Sequence, residues 1–232
     1  MGALFSDRSE AGEQLAARIA TDPQASALHE PIVYALPRGG VPVAAPVAAR
    51  LQAPLELVLV RKIGAPMQPE LAVGAIVDGE TPTLVINREI AAASGADDEY
   101  IETVKARELR EIERRRVTYV RGGAPQNPSG RDALVIDDGV ATGATMIAAV
   151  RALKIRGARR VIVATPVAPP DTVARLAAEA DAVICLVQPE WFPGISGFYR
   201  DFHQLDDEEV VELLEQAALR LKEQRRTSSG QE

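Results

Sequence analysis

The segment from Arg131 to Arg151, RDALVIDDGVATGATMIAAVR, constrains the fold of this chain more than any other. Its apolar run, Ala133-Leu134-Val135-Ile136, has the length and β-branched content of a buried parallel strand. Two carboxylates, Asp137 and Asp138, stand where that strand ends. Gly139-Val140-Ala141-Thr142-Gly143-Ala144-Thr145 follows, built of small residues apart from one valine. The Ala-rich run from Met146 to Lys154 then reads as an amphipathic helix. Strand, small-residue loop and helix N-terminus together make a ready anion site, because unpaired backbone N–H groups and the positive end of the helix dipole converge there. Glycines admit a phosphate close to the backbone, and Thr142 and Thr145 add hydroxyl donors.

The paired acids narrow the chemistry. A loop that only cradled phosphate would gain nothing from two adjacent negative charges. A sugar phosphate would, since the acids can accept hydrogen bonds from a vicinal diol. A Walker loop needs Gly-Lys-Ser/Thr, and no lysine is present here. A dinucleotide fingerprint carries its acid about 20 residues downstream, not immediately upstream. The remaining bland reading is a buried strand followed by an ordinary capped helix.

ALVIDDGVATGAT resembles the signature for 5-phosphoribosyl-1-pyrophosphate (PRPP) in type I phosphoribosyltransferases. The resemblance implies that Asp137 and Asp138 act at the ribose as the catalytic pair. It also implies that Gly139, Ala141, Thr142, Gly143, Ala144 and Thr145 hold the 5′-phosphate.

A second loop fits beside it. Ile32 to Leu36 reads as a strand and runs directly into Pro37-Arg38-Gly39-Gly40. Two glycines permit close anion approach, and Arg38 offers a fork of donors. Such a stretch is either a plain turn or an anion loop. Next to the PRPP-like motif it resembles the family's pyrophosphate loop, which would place Arg38, Gly39 and Gly40 on pyrophosphate. Leu55 to Val60 is the next apolar strand, followed by Arg61-Lys62. Adenine and orotate transferases carry a similar pair there, implying that Arg61 and Lys62 face phosphates; a solvated basic pair is the alternative. Those relatives add a further lysine, whereas Gly64-Ala65-Pro66-Met67-Gln68-Pro69 is uncharged. If residues 64–71 close over a substrate, they bring no cation.

The remaining segments alternate between helix and strand. Residues 7–20 form a helix with Asp7 and Glu10 at capping-box spacing, and 41–51 a helix kinked at Pro46. Ala72–Val77 and Thr83–Ile86 form a hairpin across Asp78-Gly79-Glu80. Residues 97–121 hold seven basic and seven acidic side chains and read as a long solvated helix. Its arginines serve solubility; a nucleic-acid role for Arg114, Arg115 and Arg116 is the alternative. Residues 122–130 form a loop, and 88–130 reads as an insertion in the minimal transferase core. Arg160–Thr165 is a strand, Asp171 caps a helix to Ala180, and Ala182–Val187 is a strand that buries Cys185. This alternation predicts a three-layer α/β/α sandwich with a mainly parallel sheet and ligands at the strands' carboxyl ends, where Arg38, Lys62 and Asp137 fall.

Residues 189–203 gather Trp191, Phe192, Phe198, Tyr199 and Phe202 in a chain only 4% aromatic. They form either a satellite core or a stacking platform, and the resemblance implies an acceptor hood at this place, with Trp191, Phe192, Phe198 and Tyr199 as acceptor-binding residues. Asp206 to Gln224 reads as a terminal helix, completing a hood-and-helix unit over 189–224, and 225–232 as a disordered tail. Length suits a single domain of 232 residues. A net charge of −7 argues against nucleic acid. The single cysteine, the lack of a membrane-length apolar run and the lack of a signal-peptide pattern point to the cytoplasm. Neither histidine has a metal-spaced partner, so no side chain is assigned to a metal.

Taken with the resemblance, these features imply a Mg²⁺-dependent transfer of the 5-phosphoribosyl group from PRPP to a small nucleobase-like heterocycle, with Mg²⁺ held mainly by pyrophosphate, ribose hydroxyls and water. A homodimer is compatible with this reading. The competing function is a regulator that senses PRPP without catalysis.

Overall fold

The computed structural model describes residues 3–25, 27–79, 82–119 and 126–229. In chain order the elements are α1 (Arg8–Thr21), β1 (Ile32–Ala35), α2 (Gly40–Leu51), β2 (Leu55–Leu57), β3 (Val60–Ala65), β4 (Gln68–Val77), β5 (Thr83–Ile86) and α3 (Arg88–Ser94). The second half holds α4 (Asp98–Tyr119), β6 (Asp132–Ile136), α5 (Ala144–Ile155), β7 (Arg160–Val167), α6 (Pro170–Ala177), β8 (Ala182–Val187) and α7 (Asp207–Ser229).

Five strands form a wholly parallel sheet in the order β2-β1-β6-β7-β8. Their apolar runs are continuous because both faces are covered. Val33, Ala35, Leu134 and Ile136 join the core that holds Leu15 of α1, Val43 of α2 and Val210 of α7. Ile32, Tyr34, Ala133 and Val135 join the opposite core with Met146 and Leu153 of α5 and Leu176 of α6. The expected α/β/α sandwich is therefore present.

The sheet's edge differs from the sequence reading. The strand expected over 55–60 stops at Leu57. Val58 N–H makes a last bond to Ala35 O, while Leu59 O already accepts from Asp78 N–H. The chain has crossed there into a separate antiparallel sheet, β3-β4-β5. Arg61 and Lys62 consequently lie inside β3, opposite Ile76 and Ala75, and not at the carboxyl end of a parallel strand. Residues 64–71 form the β3–β4 reversal, with Ala65 paired to Gln68. The β4–β5 hairpin is as expected, although Glu80 lies outside the described residues.

Helix boundaries shift in three places. Asp171 sits in the first turn of α6, whose cap is Pro169; Pro170 needs no N–H at that position, and the helix ends at Ala177. Residues 225–229, expected as tail, continue α7. That helix starts from a reciprocal capping box, in which Glu209 N–H donates to Asp206 Oδ1 and Asp206 N–H to Glu209 Oε2, both at 2.8 Å. Cys185 is half-buried, its thiol donating to Val187 O at 3.1 Å and pushed up to about 11 by burial. Of the loop expected over 122–130, residues 122–125 lie outside the described residues.

Residues 195–199 pair with the chain's first segment. Leu4 and Phe5 N–H groups share Phe198 O, and Arg200 N–H donates to Phe5 O at 2.8 Å. Phe5, Phe198 and Tyr199 are buried together, and Phe192 stacks on Phe198 with centroids 5.5 Å apart. This satellite core ties the segment before α1 to the one that follows β8. Phe198→Ala should cost about 3–5 kcal/mol in urea denaturation, because a buried ring leaves a cavity that the short loop cannot refill.

Candidate active site

Adjacent parallel strands bring two loops together. Ala35 of β1 and Ile136 of β6 are register partners, so the turn at 37–40 and the loop at 137–143 leave the sheet side by side. Leu36 N–H donates to Ile136 O at 2.9 Å. A Cβ on Gly39 would lie 2.1 Å from Asp138 Oδ2, and one on Gly40 2.6 Å from Ile136 O. Any side chain at either position would separate the loops. The Pro37–Arg38 peptide is cis.

The second loop is held from behind. Val140 N–H donates to Val167 O at 2.9 Å, and Thr172 Oγ1 to Ala141 O at 2.6 Å. Gly143, at φ 78°, turns the chain into α5. Ala141 and Thr142 are exposed, while Ala144 and Thr145 are half-buried in the first helical turn. First-turn N–H groups have no i−4 acceptor, so this end of α5 offers donors and a positive dipole to an anion. Gly139 is buried against Ile195 and Val167, beneath the aromatic segment.

The two acids occupy different environments. Asp138 is 7% exposed and its Oδ2 accepts from Arg8 Nε at 2.7 Å. Arg8 also donates to His203 O at 2.9 Å and lies 3.8 Å from the centroid of the Phe202 ring. Tyr199 hydroxyl donates to Asp138 O. Asp137 is half-buried, and among the described residues its carboxylate accepts only from the neighbouring Asp138 N–H, at 2.9 Å. Burial, then repulsion from Asp138, pushes the Asp137 carboxyl well above the ordinary range. Burial also pushes Asp138 up, opposed by the hydrogen bond and charge of Arg8. Arg8 had no signal in the local sequence, since its partner is 130 residues away.

Asp137 lines a cavity of about 200 Å³ with Leu36, Pro37, Val58, Leu59, Val60, Arg61, Arg115 and Thr145. Arg61 reaches this cavity from inside β3, its Nε donating to Glu108 Oε2 at 2.7 Å. Lys62 is exposed and does not line this cavity. Arg38 turns away from it: Nη1 donates to Leu205 O at 2.5 Å and Nε lies 3.2 Å from Asp207 Oδ1. The aromatic wall expected above Asp137 is not formed either. None of Trp191, Phe192, Phe198 and Tyr199 lines the cavity; Phe198 and Tyr199 are buried in the satellite core, and Trp191 is 71% exposed. Tyr199 meets the aspartate loop at the Asp138 carbonyl.

The sequence profile of the phosphoribosyl transferase domain matches residues 7–203. The chain belongs to this family. Two Mycobacterium tuberculosis proteins, each provisionally named as a phosphoribosyl transferase, are 45% identical over 214 residues, 92% of this chain. The chain spans about half the length of these curated relatives, 47%. The crystal structure of the TT1426 protein of Thermus thermophilus is 42% identical, with a TM-score of 0.81 over 92% of this chain and 98% of that one.

Within this phosphoribosyl transferase domain the two acids should respond differently to substitution. Asp138→Ala leaves Arg8 buried without its counter-charge and should cost about 3–5 kcal/mol in chemical denaturation. Asp137→Asn should instead stabilise the domain at neutral pH. A folded-state pKa above the unfolded one means that stability is fully present below the ordinary Asp range and is lost as pH rises through the elevated folded value. Removing the charge should flatten that loss in Tm measured against pH.

Proposed function

We propose that the domain transfers the 5-phosphoribosyl group of PRPP to a small nucleobase-like acceptor and releases pyrophosphate. The observation carrying this reading is a carboxylate with no ion-pair partner among the described residues, Asp137, in one cavity with Thr145 of the α5 N-terminus. A ligand with a diol next to a phosphate satisfies both: hydroxyls donate to Asp137 and phosphate oxygens accept from the 139–145 loop. In the transfer the bond from C1 to the pyrophosphate oxygen breaks, with its electron pair leaving on oxygen. The acceptor nitrogen forms the new bond to C1 and gives up its proton to the departing pyrophosphate. Positive charge on the ring in between is stabilised by the nearby carboxylate, held in place before reaction. Asp138, in this reading, positions the loop through Arg8.

Mg²⁺ fits the donor set in one respect. Among the described residues no group of three or more His, Cys, Asp or Glu side chains could hold a metal. Such an ion commonly uses one or two carboxylates together with substrate phosphates and water. Asp137, desolvated and beside a second acid, is the side chain that would supply the carboxylate. The ion would neutralise charge on the leaving pyrophosphate.

One observation favours a sensor without catalysis: Arg8 already neutralises Asp138, leaving a single acid for the sugar. The two readings separate on turnover. PRPP, Mg²⁺ and a panel of heterocycles should give pyrophosphate release, and Asp137→Asn should lower its rate by roughly 100-fold. Saturable PRPP binding with no release for any acceptor would favour the sensor.

A further inference from the structure

The turn after β1 is joined to the last helix by a contact that the Pro-Arg-Gly-Gly motif does not account for. Leu36 and Pro37 line the Asp137 cavity, so the backbone brings Arg38 to its rim. The side chain then leaves toward the start of α7, where Nη1 donates to Leu205 O at 2.5 Å and Nε lies 3.2 Å from Asp207 Oδ1. The same carboxylate oxygen accepts from the Tyr119 hydroxyl at 2.6 Å. Tyr119 is the last residue of α4 and is 3% exposed. Burial, then its hydrogen bond to Asp207, pushes that hydroxyl up, so it stays protonated and remains a donor.

Two helices thus meet at one arginine of the site. Both α7 partners lie beyond residue 203, where the match to the family profile ends. Their hold on Arg38 is loose. Its side chain is 38% exposed and that of Asp207 36%, and an ion pair so open to water is weak and screened by salt. A guanidinium fork on diphosphate oxygens makes shorter, bidentate, charge-assisted contacts. The position on α7 is therefore one that a multiply charged anion can empty. Only the Arg38 side chain need turn, because Gly39 and Gly40 press the backbone of the turn against Asp138 and Ile136.

We propose that Asp207, backed by Tyr119, is a positioning residue that parks Arg38 on α7, and that an anion entering the site must draw Arg38 off this latch to engage it. The latch rests on the reading of the site as a phosphoribosyl one. It assigns the regulation of that site to α7, outside the two loops that carry the motifs. While Arg38 is parked, apparent affinity is reduced in proportion to the fraction of molecules in which it is free. α7 thereby sets how readily the empty site takes up an anion.

Calorimetric titration of the full chain with inorganic pyrophosphate and Mg²⁺ tests the latch. Asp207→Asn removes the charge that holds Arg38 and should tighten binding roughly two- to fivefold, the range that an exposed ion pair is worth. Asp207→Ser is a second uncharged variant with the same expected gain, and Asp207→Glu, which keeps the charge, should stay close to wild type. Glu208→Gln is the control: it removes one negative charge from the exposed neighbour in the same helical turn and should leave affinity unchanged. In an Arg38→Ala background Asp207→Asn should have no effect, because the latch acts only through that side chain. A gain that persists without Arg38, an equal gain in Glu208→Gln, or no gain in either uncharged Asp207 variant would overturn the latch and leave the transfer reading standing. A wild-type chain that binds neither PRPP nor pyrophosphate would overturn the transfer reading, and the latch with it.

Discussion

The contact on which the site depends is the one between Gly39 and the Asp138 carboxylate. It forces two loops from neighbouring parallel strands to share a space that no side chain could enter. Once Asp138 is pressed against that turn it is cut off from water, and a buried carboxylate needs a counter-charge. Arg8 supplies it from α1, and the Arg8 guanidinium in turn fixes the His203 carbonyl and the Phe202 ring. The position of the N-terminal helix, the path of the aromatic segment and the freedom of Asp137 all follow from that one close approach.

Electrostatics then separates two neighbouring acids of identical type. Asp138 faces a cation and serves the scaffold. Asp137, one residue on from the end of β6, forms no ion pair among the described residues and faces the cavity with its charge disfavoured. A group in that state gains from any ligand that brings a proton donor or a positive charge, so the burial that destabilises the empty site favours the occupied one.

Much of the fold was legible because its signals were local. The apolar run at 133–136, the Gly-rich stretch after it and the Pro-Arg-Gly-Gly turn each encode their own conformation, and the parallel sheet follows from their alternation. The family signature read from ALVIDDGVATGAT agrees with the domain profile that spans residues 7–203. What escaped was set by distant partners. The run from Leu55 to Val60 looks continuous, yet it is divided between two sheets because Leu59 bonds to Asp78 and not to the central sheet. Arg38 matched its motif, but Leu205 and Asp207, far along the chain, take its guanidinium. Arg115 looked like one charge among fourteen on a solvated helix; only the packing of α4 beside β3 and the cavity separates it from Arg114. The aromatic cluster was visible by composition, but its direction depends on Phe5, which no periodicity could link to it.

The Arg8 contacts also have a consequence for how the chain folds. Arg8 must find partners 130 and 195 residues away, so these are among the most non-local contacts in the molecule. Loop closure over such distances is slow relative to the formation of a helix or a hairpin. During synthesis α1 emerges before β6 and the aromatic segment, and its Arg8 has no counter-charge until they have followed it. The central sheet can therefore assemble ahead of its own ligand site, and the aspartate loop acquires its final shape only when the start of the domain closes onto its end.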